Sequence, residues 1–113
     1  MKEGTREILP QRRRCETFTF KHDNIVYTAS IGYYDDACTR PGEVFLDACK
    51  TGTAINVFVR DSAIAISFAL QCGTTVEQIR SAFTRDAEGR PEGPLGALMD
   101  VLAERAGRVA GAT

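Results

Sequence analysis

The sequence predicts an α+β domain in which a three-stranded antiparallel sheet is followed by three helices packed on one face. Apolar and polar residues alternate through the first half of the chain, and a helical period replaces this alternation near residue 54. Short connections join the alternating segments, which favours antiparallel pairing. A length of 113 residues suits one domain with a single core.

The three strands are predicted from their two-residue alternation. In the first strand, Phe18 and Phe20 fall on one face and the neighbouring threonines on the other. Asp23 and Asn24 follow it, and both tolerate the left-handed backbone that a tight hairpin needs. The predicted strands span 15–21, 25–33 and 43–49.

The three helices are predicted at 54–72, 76–84 and 95–105. The first is apolar over most of its circumference, so we expect it to be central, packed on the sheet and covered by the later helices. Gly73 is placed to end it. The pattern from Thr74 to Glu77 is typical of a capping box that begins the second helix.

The chain is predicted to contain a basic arm at 1–14, one domain at 15–106 and a flexible tail at 107–113. The arm holds five basic and two acidic residues and has no apolar period. Such an arm can bind phosphates or an acidic partner, or it can be a solvated terminal segment.

Composition excludes several functional classes. A net charge of −1 and a pI near 5.8 argue against general nucleic-acid binding. No apolar run follows the charged start of the chain, and the longest one, 63–70, is too short to span a bilayer. We therefore expect a cytoplasmic protein that does not associate with a membrane. The four cysteines form no C-x-x-C pair and His22 is the sole histidine, so neither a metal site nor a cofactor is expected.

The segment Lys50-Thr51-Gly52-Thr53 is the first candidate binding site. It precedes the long helix, whose free N–H groups and partial positive charge favour an anion. Arg60 lies further along that helix, and Arg12 and Arg13 could serve as outer contacts. The spacing is not that of a Walker A loop, and a simple strand-to-helix turn with a threonine cap is the alternative.

A polar stripe on the first helix is the second candidate site. It comprises Asn56, Arg60, Ser67 and Gln71, which recur on one side of an otherwise apolar helix. The stripe could line a ligand pocket or meet a subunit partner. The simpler interpretation is that it forms the solvent-facing edge of the helix.

No catalytic residue is assigned. Cys49 beside Lys50 is the best candidate for a reactive thiol, because a nearby cation and a helix start lower a thiol pKa. Asp35, Asp36 and Asp61 are carboxylates, but no pattern brings them together as an acid–base pair. Histidine is the commonest general base, so its scarcity argues against an enzyme.

Several segments from residue 9 to residue 103 resemble the TSCPD domain. That domain occurs near the C-terminus of adenosylcobalamin-dependent (class II) ribonucleotide reductases and in short bacterial proteins. The resembling segments are Leu9-Pro10-Gln11-Arg12-Arg13, Glu43-Val44-Phe45-Leu46, Lys50-Thr51-Gly52, Arg60-Asp61-Ser62-Ala63, Ser67-Phe68-Ala69-Leu70-Gln71-Cys72-Gly73 and Gly93-Pro94-Leu95-Gly96. The motif that names the family, Thr-Ser-Cys-Pro-Asp, is not present, and the chain is too short for the reductase barrel. The resemblance therefore implies kinship with a reductase and no reductase activity in this chain alone.

These observations lead to three hypotheses. The first is a stand-alone, non-catalytic accessory module in deoxyribonucleotide metabolism, which binds a ribonucleotide reductase, another protein or a nucleotide phosphate. The second is a purely structural interaction domain that forms a homodimer through the apolar long helix and the aromatic strands. The third is a thiol enzyme that uses Cys49.

Overall fold

The computed structural model describes residues 5–48 and 54–111, the last five without their side chains. The predicted fold class is confirmed, since an antiparallel sheet of order β1-β2-β3 is followed by three helices. The strands are β1 (Cys15–His22), β2 (Ile25–Tyr33) and β3 (Pro41–Ala48), and the helices are α1 (Ala54–Gln71), α2 (Val76–Ala82) and α3 (Pro94–Gly111).

The β1–β2 hairpin forms where the sequence predicts it. Asp23 and Asn24 have φ angles of 49° and 65°, the two positive values that a two-residue type I′ turn requires. Its twist matches that of the strands, so the two strands pair without interruption from His22 opposite Ile25 to Cys15 opposite Gly32.

The core lies between one sheet face and the three helices. β2 is the central strand, and its side chains at alternate positions are fully buried, as are those of β3. Phe20 stacks on Tyr27 with ring centroids 5.5 Å apart, which brings β1 into the same core. The helices contribute Val59, Ala63, Ile66, Leu70, Ile79, Leu98, Met99 and Leu102.

The helix boundaries differ from the predicted ones. α2 ends at Ala82, two residues early, because Phe83 adopts an extended backbone. Its capping box uses Thr75 and Gln78, one residue later than predicted. α3 begins at Pro94, a residue type favoured at the first helical position, and passes the predicted end at Arg105 to reach Gly111. An interior glycine such as Gly107 costs only about 1 kcal/mol, which is too little to stop a helix.

The expected position of α1 is wrong in one respect. α1 does pack on the sheet, with Val59, Ala63 and Ile66 in the core. The later helices, however, do not cover the remainder of its apolar surface. Phe58 is 70% exposed and Val57 is 58% exposed.

Candidate protein-interaction site

α1 covers the outer edge of β3 through three polar side chains. Ser67 Oγ accepts a hydrogen bond from Val44 N at 2.8 Å and lies 3.1 Å from Val44 O. Asn56 Oδ1 accepts one from Ala48 N at 3.0 Å. Gln71 Nε2 donates a hydrogen bond to the carbonyl oxygen of Gly42 at 2.8 Å. Outward main-chain groups of Gly42, Val44 and Ala48 are thus hydrogen-bonded to the helix.

The interpretation of the polar stripe as a solvent-facing edge is therefore wrong for Asn56, Ser67 and Gln71, whereas Arg60 is exposed. Asn56 is 6% exposed and Ser67 is 8% exposed. Buried polar groups need hydrogen-bond partners, and a strand edge supplies them as well as water does. The sequence pattern correctly separates the polar stripe from the apolar surface. It suggests, however, that the stripe faces solvent and that the apolar surface is covered, and the structure shows largely the reverse.

The outward side of α1 is apolar and exposed. We call the set Phe45, Val57, Phe58, Ile64 and Phe68 the outer α1 surface. Val57, Ile64 and Phe68 recur at helical spacing, while Phe45 projects from the open face of β3 beside them. Phe45, Ile64 and Phe68 line a shallow cavity of about 150 Å³, and the guanidinium of Arg6 lies 4.6 Å from the Phe68 ring centroid.

Such a surface is typical of a binding site. Single exposed apolar residues are normal, but a contiguous group of large ones marks an interaction surface in most soluble proteins. Aromatic side chains contribute most to binding when they are buried at the centre of an interface. Phe45 and Phe68, which line one cavity together with Ile64, therefore favour a protein partner.

The predicted anion site is only partly described. Lys50, Thr51, Gly52 and Thr53, together with Cys49, lie outside the described residues. Among the described members, Arg60 Nε lies 3.4 Å from Asp47 Oδ1 and Arg13 Nε lies 2.8 Å from Glu43 Oε1. Glu43 and Asp47 are four residues apart on β3, roughly 13 Å. The structure thus places Arg13 and Arg60 at separate points along the strand, each beside a carboxylate, while Arg12 is exposed.

The candidate carboxylates are not brought together. Asp35 accepts hydrogen bonds from the backbone N–H groups of Thr39 and Arg40, which order the loop before β3. Although burial raises the pKa of Asp35, a hydrogen bond from the Thr39 hydroxyl and the two backbone hydrogen bonds hold it below its usual value. Asp61 is exposed on α1. Within residues 5–48 and 54–111, no three histidine, cysteine or acidic side chains are grouped as a metal site would require.

Two ion-pair clusters join distant parts of the chain. Glu16 on β1 accepts hydrogen bonds from Arg105 on α3 at 3.1 Å and from the Tyr33 hydroxyl at 2.7 Å. The Arg105 hydrogen bonds lower the pKa of Glu16. Asp100 contacts Arg85 at 2.6 Å and Arg80 at 2.8 Å. Sequence spacing gives no signal for the Glu16 pair, because 89 residues separate its members.

α1 also meets simple criteria for a membrane span. It is 18 residues long with a mean hydropathy of 1.2, so it could cross a bilayer by length and composition alone. This is weak evidence, since the core helix of a soluble protein meets the same criteria. Here the side chains of Asn56, Ser67 and Gln71 hydrogen-bond to β3.

Comparison with known proteins identifies relatives of one kind. A vitamin B12-dependent ribonucleotide reductase of Bradyrhizobium diazoefficiens is 36% identical over 90 residues, which cover 80% of this chain. Reductases of the same name from Agrobacterium fabrum and Rhodopirellula baltica are 37% and 33% identical over 79 residues, or 70% of the chain. This chain is related to one segment of the vitamin B12-dependent ribonucleotide reductases.

The relationship concerns only a short part of each reductase. The matched segment amounts to 6–7% of each B12-dependent reductase. The predicted kinship with a reductase is confirmed, whereas the narrower TSCPD assignment stays a prediction. No family model and no solved structure matches the chain.

Proposed function

We propose that this chain is a non-catalytic accessory module that binds a protein partner through the outer α1 surface. The partner in this proposal is a vitamin B12-dependent ribonucleotide reductase. The observation that carries the proposal is the group of large apolar side chains exposed on the outward side of α1, among which Phe45, Ile64 and Phe68 line one cavity. Burial of apolar area stabilises a complex by about 25 cal/mol per Å², so such a surface provides a driving force for association.

The relatives supply the choice of partner. In the matched reductases, a related segment forms a small part of a much longer chain. A segment in that setting has the remainder of a reductase as its neighbour. A surface that docks on a reductase is therefore consistent with the kinship of this chain.

Binding of a nucleotide phosphate is less favoured by the described geometry. An anion is attracted by unpaired positive charge, whereas Arg60 and Arg13 each lie beside a carboxylate. A ligand at 100 times its dissociation constant would stabilise the protein by about 2.7 kcal/mol. Thermal unfolding with a panel of ribo- and deoxyribonucleotides measures this directly, and a rise in Tm of several degrees would favour the nucleotide site.

A homodimer is the second candidate function. Arg60 and Asp61 are adjacent near the middle of α1, next to the outer α1 surface. Two copies of α1 packed antiparallel about a two-fold axis would place each arginine near the aspartate of the other copy. The same surface would then be buried between two copies of the chain.

The decisive experiment compares Phe68→Glu with a matched control, Ala82→Glu. Phe68 lies on the outer α1 surface and is 50% exposed, and Ala82 is exposed on α2, away from that surface. We expect the unchanged protein to bind the B. diazoefficiens reductase in biolayer interferometry. Phe68→Glu should weaken binding by roughly 100-fold, the effect of losing a central aromatic contact, and Ala82→Glu should not.

Sedimentation of the same variants separates the two candidates. A dimer that Phe68→Glu dissociates and Ala82→Glu preserves would support the homodimer instead. A monomer that does not bind the reductase would exclude both functions for this surface.

A further inference from the structure

β1 forms the open edge of the sheet. Tyr33 N donates to Arg14 O at 3.0 Å, which makes residues 14 and 33 a hydrogen-bonded pair. Antiparallel pairs alternate, so Glu16, Phe18 and Phe20 bond to β2 in the same way. The main-chain N–H and C=O groups of Cys15, Thr17, Thr19 and Lys21 therefore point away from the sheet. Among the described residues, these groups form no hydrogen bond to another segment.

The β1 edge has the shape needed to bind a further strand. β1 and β2 form eight consecutive pairs without a bulge, and β1 contains no proline. Sheet edges of this length are usually blunted by a bulge, a proline or a covering segment. An unblunted edge can pair with an extended segment through main-chain hydrogen bonds.

Positive charge flanks the β1 edge at both ends. Arg12 and Arg14 precede the strand, and Lys21 lies near its end. Within the described part of the chain, none of the three forms an ion pair. The one acidic residue of β1, Glu16, is bound to Arg105. An incoming strand therefore meets uncompensated positive charge.

This charge distribution disfavours a second copy of β1 as the added strand. Two copies paired antiparallel about a two-fold axis would place Lys21 of one copy beside Cys15 and Arg14 of the other. Like charges at such a position repel, and they prevent self-association at many sheet edges. Acidic residues at both ends of the incoming strand would be attracted instead.

We propose that the β1 edge binds an extended acidic segment of a partner protein as a fourth strand. Its acidic residues would lie at the ends, near Arg14 and Lys21. Every second side chain between them would pack beside Phe18 and Phe20, whose rings are partly buried at this edge with centroids 6.5 Å apart. This contact deepens the proposed function, because it gives the accessory module a second recognition element that does not involve the outer α1 surface.

The test uses a ten-residue fluorescent peptide with two glutamates at each end and alternating valine and threonine between them. We expect fluorescence anisotropy to detect binding at micromolar concentration. The same peptide with lysine in place of glutamate should bind at least ~10-fold more weakly at low salt. Equal binding of the two peptides, or no binding of the acidic one at millimolar concentration, would overturn the proposal.

A matched pair of protein variants tests the strand geometry. Thr17→Pro removes one outward N–H group and leaves the bonds to β2 intact, whereas Thr17→Val keeps that group. We expect Thr17→Pro to weaken peptide binding by roughly 10-fold, the loss of one well-formed hydrogen bond, and Thr17→Val to leave it unchanged. Equal affinity of the two variants would contradict strand addition.

Methylated peptides remove any dependence on how well Thr17→Pro folds. N-methyl groups at every second residue block either the peptide edge that faces β1 or the opposite edge. On the unchanged protein, only the peptide whose methyl groups block the edge that faces β1 should fail to bind. This assay contains no reductase, so its failure leaves docking through the outer α1 surface unaffected, and Phe68→Glu should bind the peptide normally.

Discussion

The two edges of the sheet differ in whether another element covers them. β1 and β3 are both eight residues long, and both flank the same central strand. The β3 edge is covered by α1, whose side chains bond to Val44, Ala48 and Gly42. The β1 edge keeps its outward main-chain groups free among the described residues and is flanked by positive charge. One edge therefore contributes to the stability of the domain, and the other is open to a partner.

The sequence explains why the helix covers β3. Val44 and Leu46 are fully buried, so β3 needs cover on its core face, and α1 is the next element along the chain. Phe18 and Phe20 on β1 are only partly buried. Arg14 and Lys21 discourage edge-to-edge association, which is a common protection of exposed strands.

Amide hydrogen exchange should show the largest difference between the edges. The N–H groups of Val44 and Ala48 are bonded to buried side chains, so their exchange requires extensive unfolding. Those of Thr17 and Thr19 point outward. We expect the β3 amides to exchange roughly 1,000-fold more slowly, which can be measured by NMR in deuterated buffer. Comparable exchange rates at the two edges would contradict the conclusion that the β3 edge is covered and the β1 edge is open.

Ser67→Ala should destabilise the domain by about 2 kcal/mol, because it leaves the buried N–H group of Val44 without an acceptor. Denaturant unfolding measures this change. Ser30→Ala is the control, since the Ser30 hydroxyl lies on the open sheet face, 3.2 Å from that of Thr17. It should cost less than about 0.5 kcal/mol. Similar losses of stability in the two variants would mean that the buried hydroxyl of Ser67 contributes no more than the hydroxyl of Ser30.

Glu16→Gln should cost about 1–2 kcal/mol at neutral pH by weakening the attachment of β1 to Arg105. The folded protein lowers the pKa of Glu16, so this stabilisation is fully present above the pKa of the unfolded chain. It is lost as the pH falls through the lower pKa of the folded state. Unfolding at several pH values should therefore show the difference between the two proteins shrinking as the pH falls below the pKa of an unfolded glutamate, about 4.3. A stability difference between the two proteins that grew on acidification would refute the assignment of this stabilisation to ionised Glu16.

Thr17→Val should have the smallest effect, within about 0.5 kcal/mol of the unchanged protein. The side chain is exposed on the open sheet face, and valine is at least as favourable as threonine in a strand. Thermal unfolding measures the change. A larger loss would indicate that the Thr17 hydroxyl and its contact with Ser30 hold β1 in place.

The order of elements could be predicted from the sequence, and the environment of α1 could not. Alternation and the Asp23–Asn24 turn identify the hairpin because both reflect local backbone preferences. Periodicity also separates the polar stripe of α1 from its apolar surface. It cannot show that Ser67 bonds to Val44 while Phe58 faces outward, because both positions depend on how the helix meets the sheet.

The candidate sites show the same division. The sequence indicates which arginines are available, but the carboxylates beside Arg13 and Arg60 come from β3 and are 30 and 13 positions away. The outer α1 surface was recognised only as an apolar excess on the helix. The open edge of β1 gives no compositional signal, since a strand's position in a sheet depends on pairing.

The three polar contacts of α1 also specify the register of β3. Asn56 and Ser67 are separated by about 16 Å along a helix, and their partners Ala48 and Val44 by about 14 Å along a strand. The short Ser67 side chain lies between two longer ones, Asn56 and Gln71, so a straight helix can follow a twisted strand. An insertion of one residue in β3 would misalign these contacts and turn its core side chains outward.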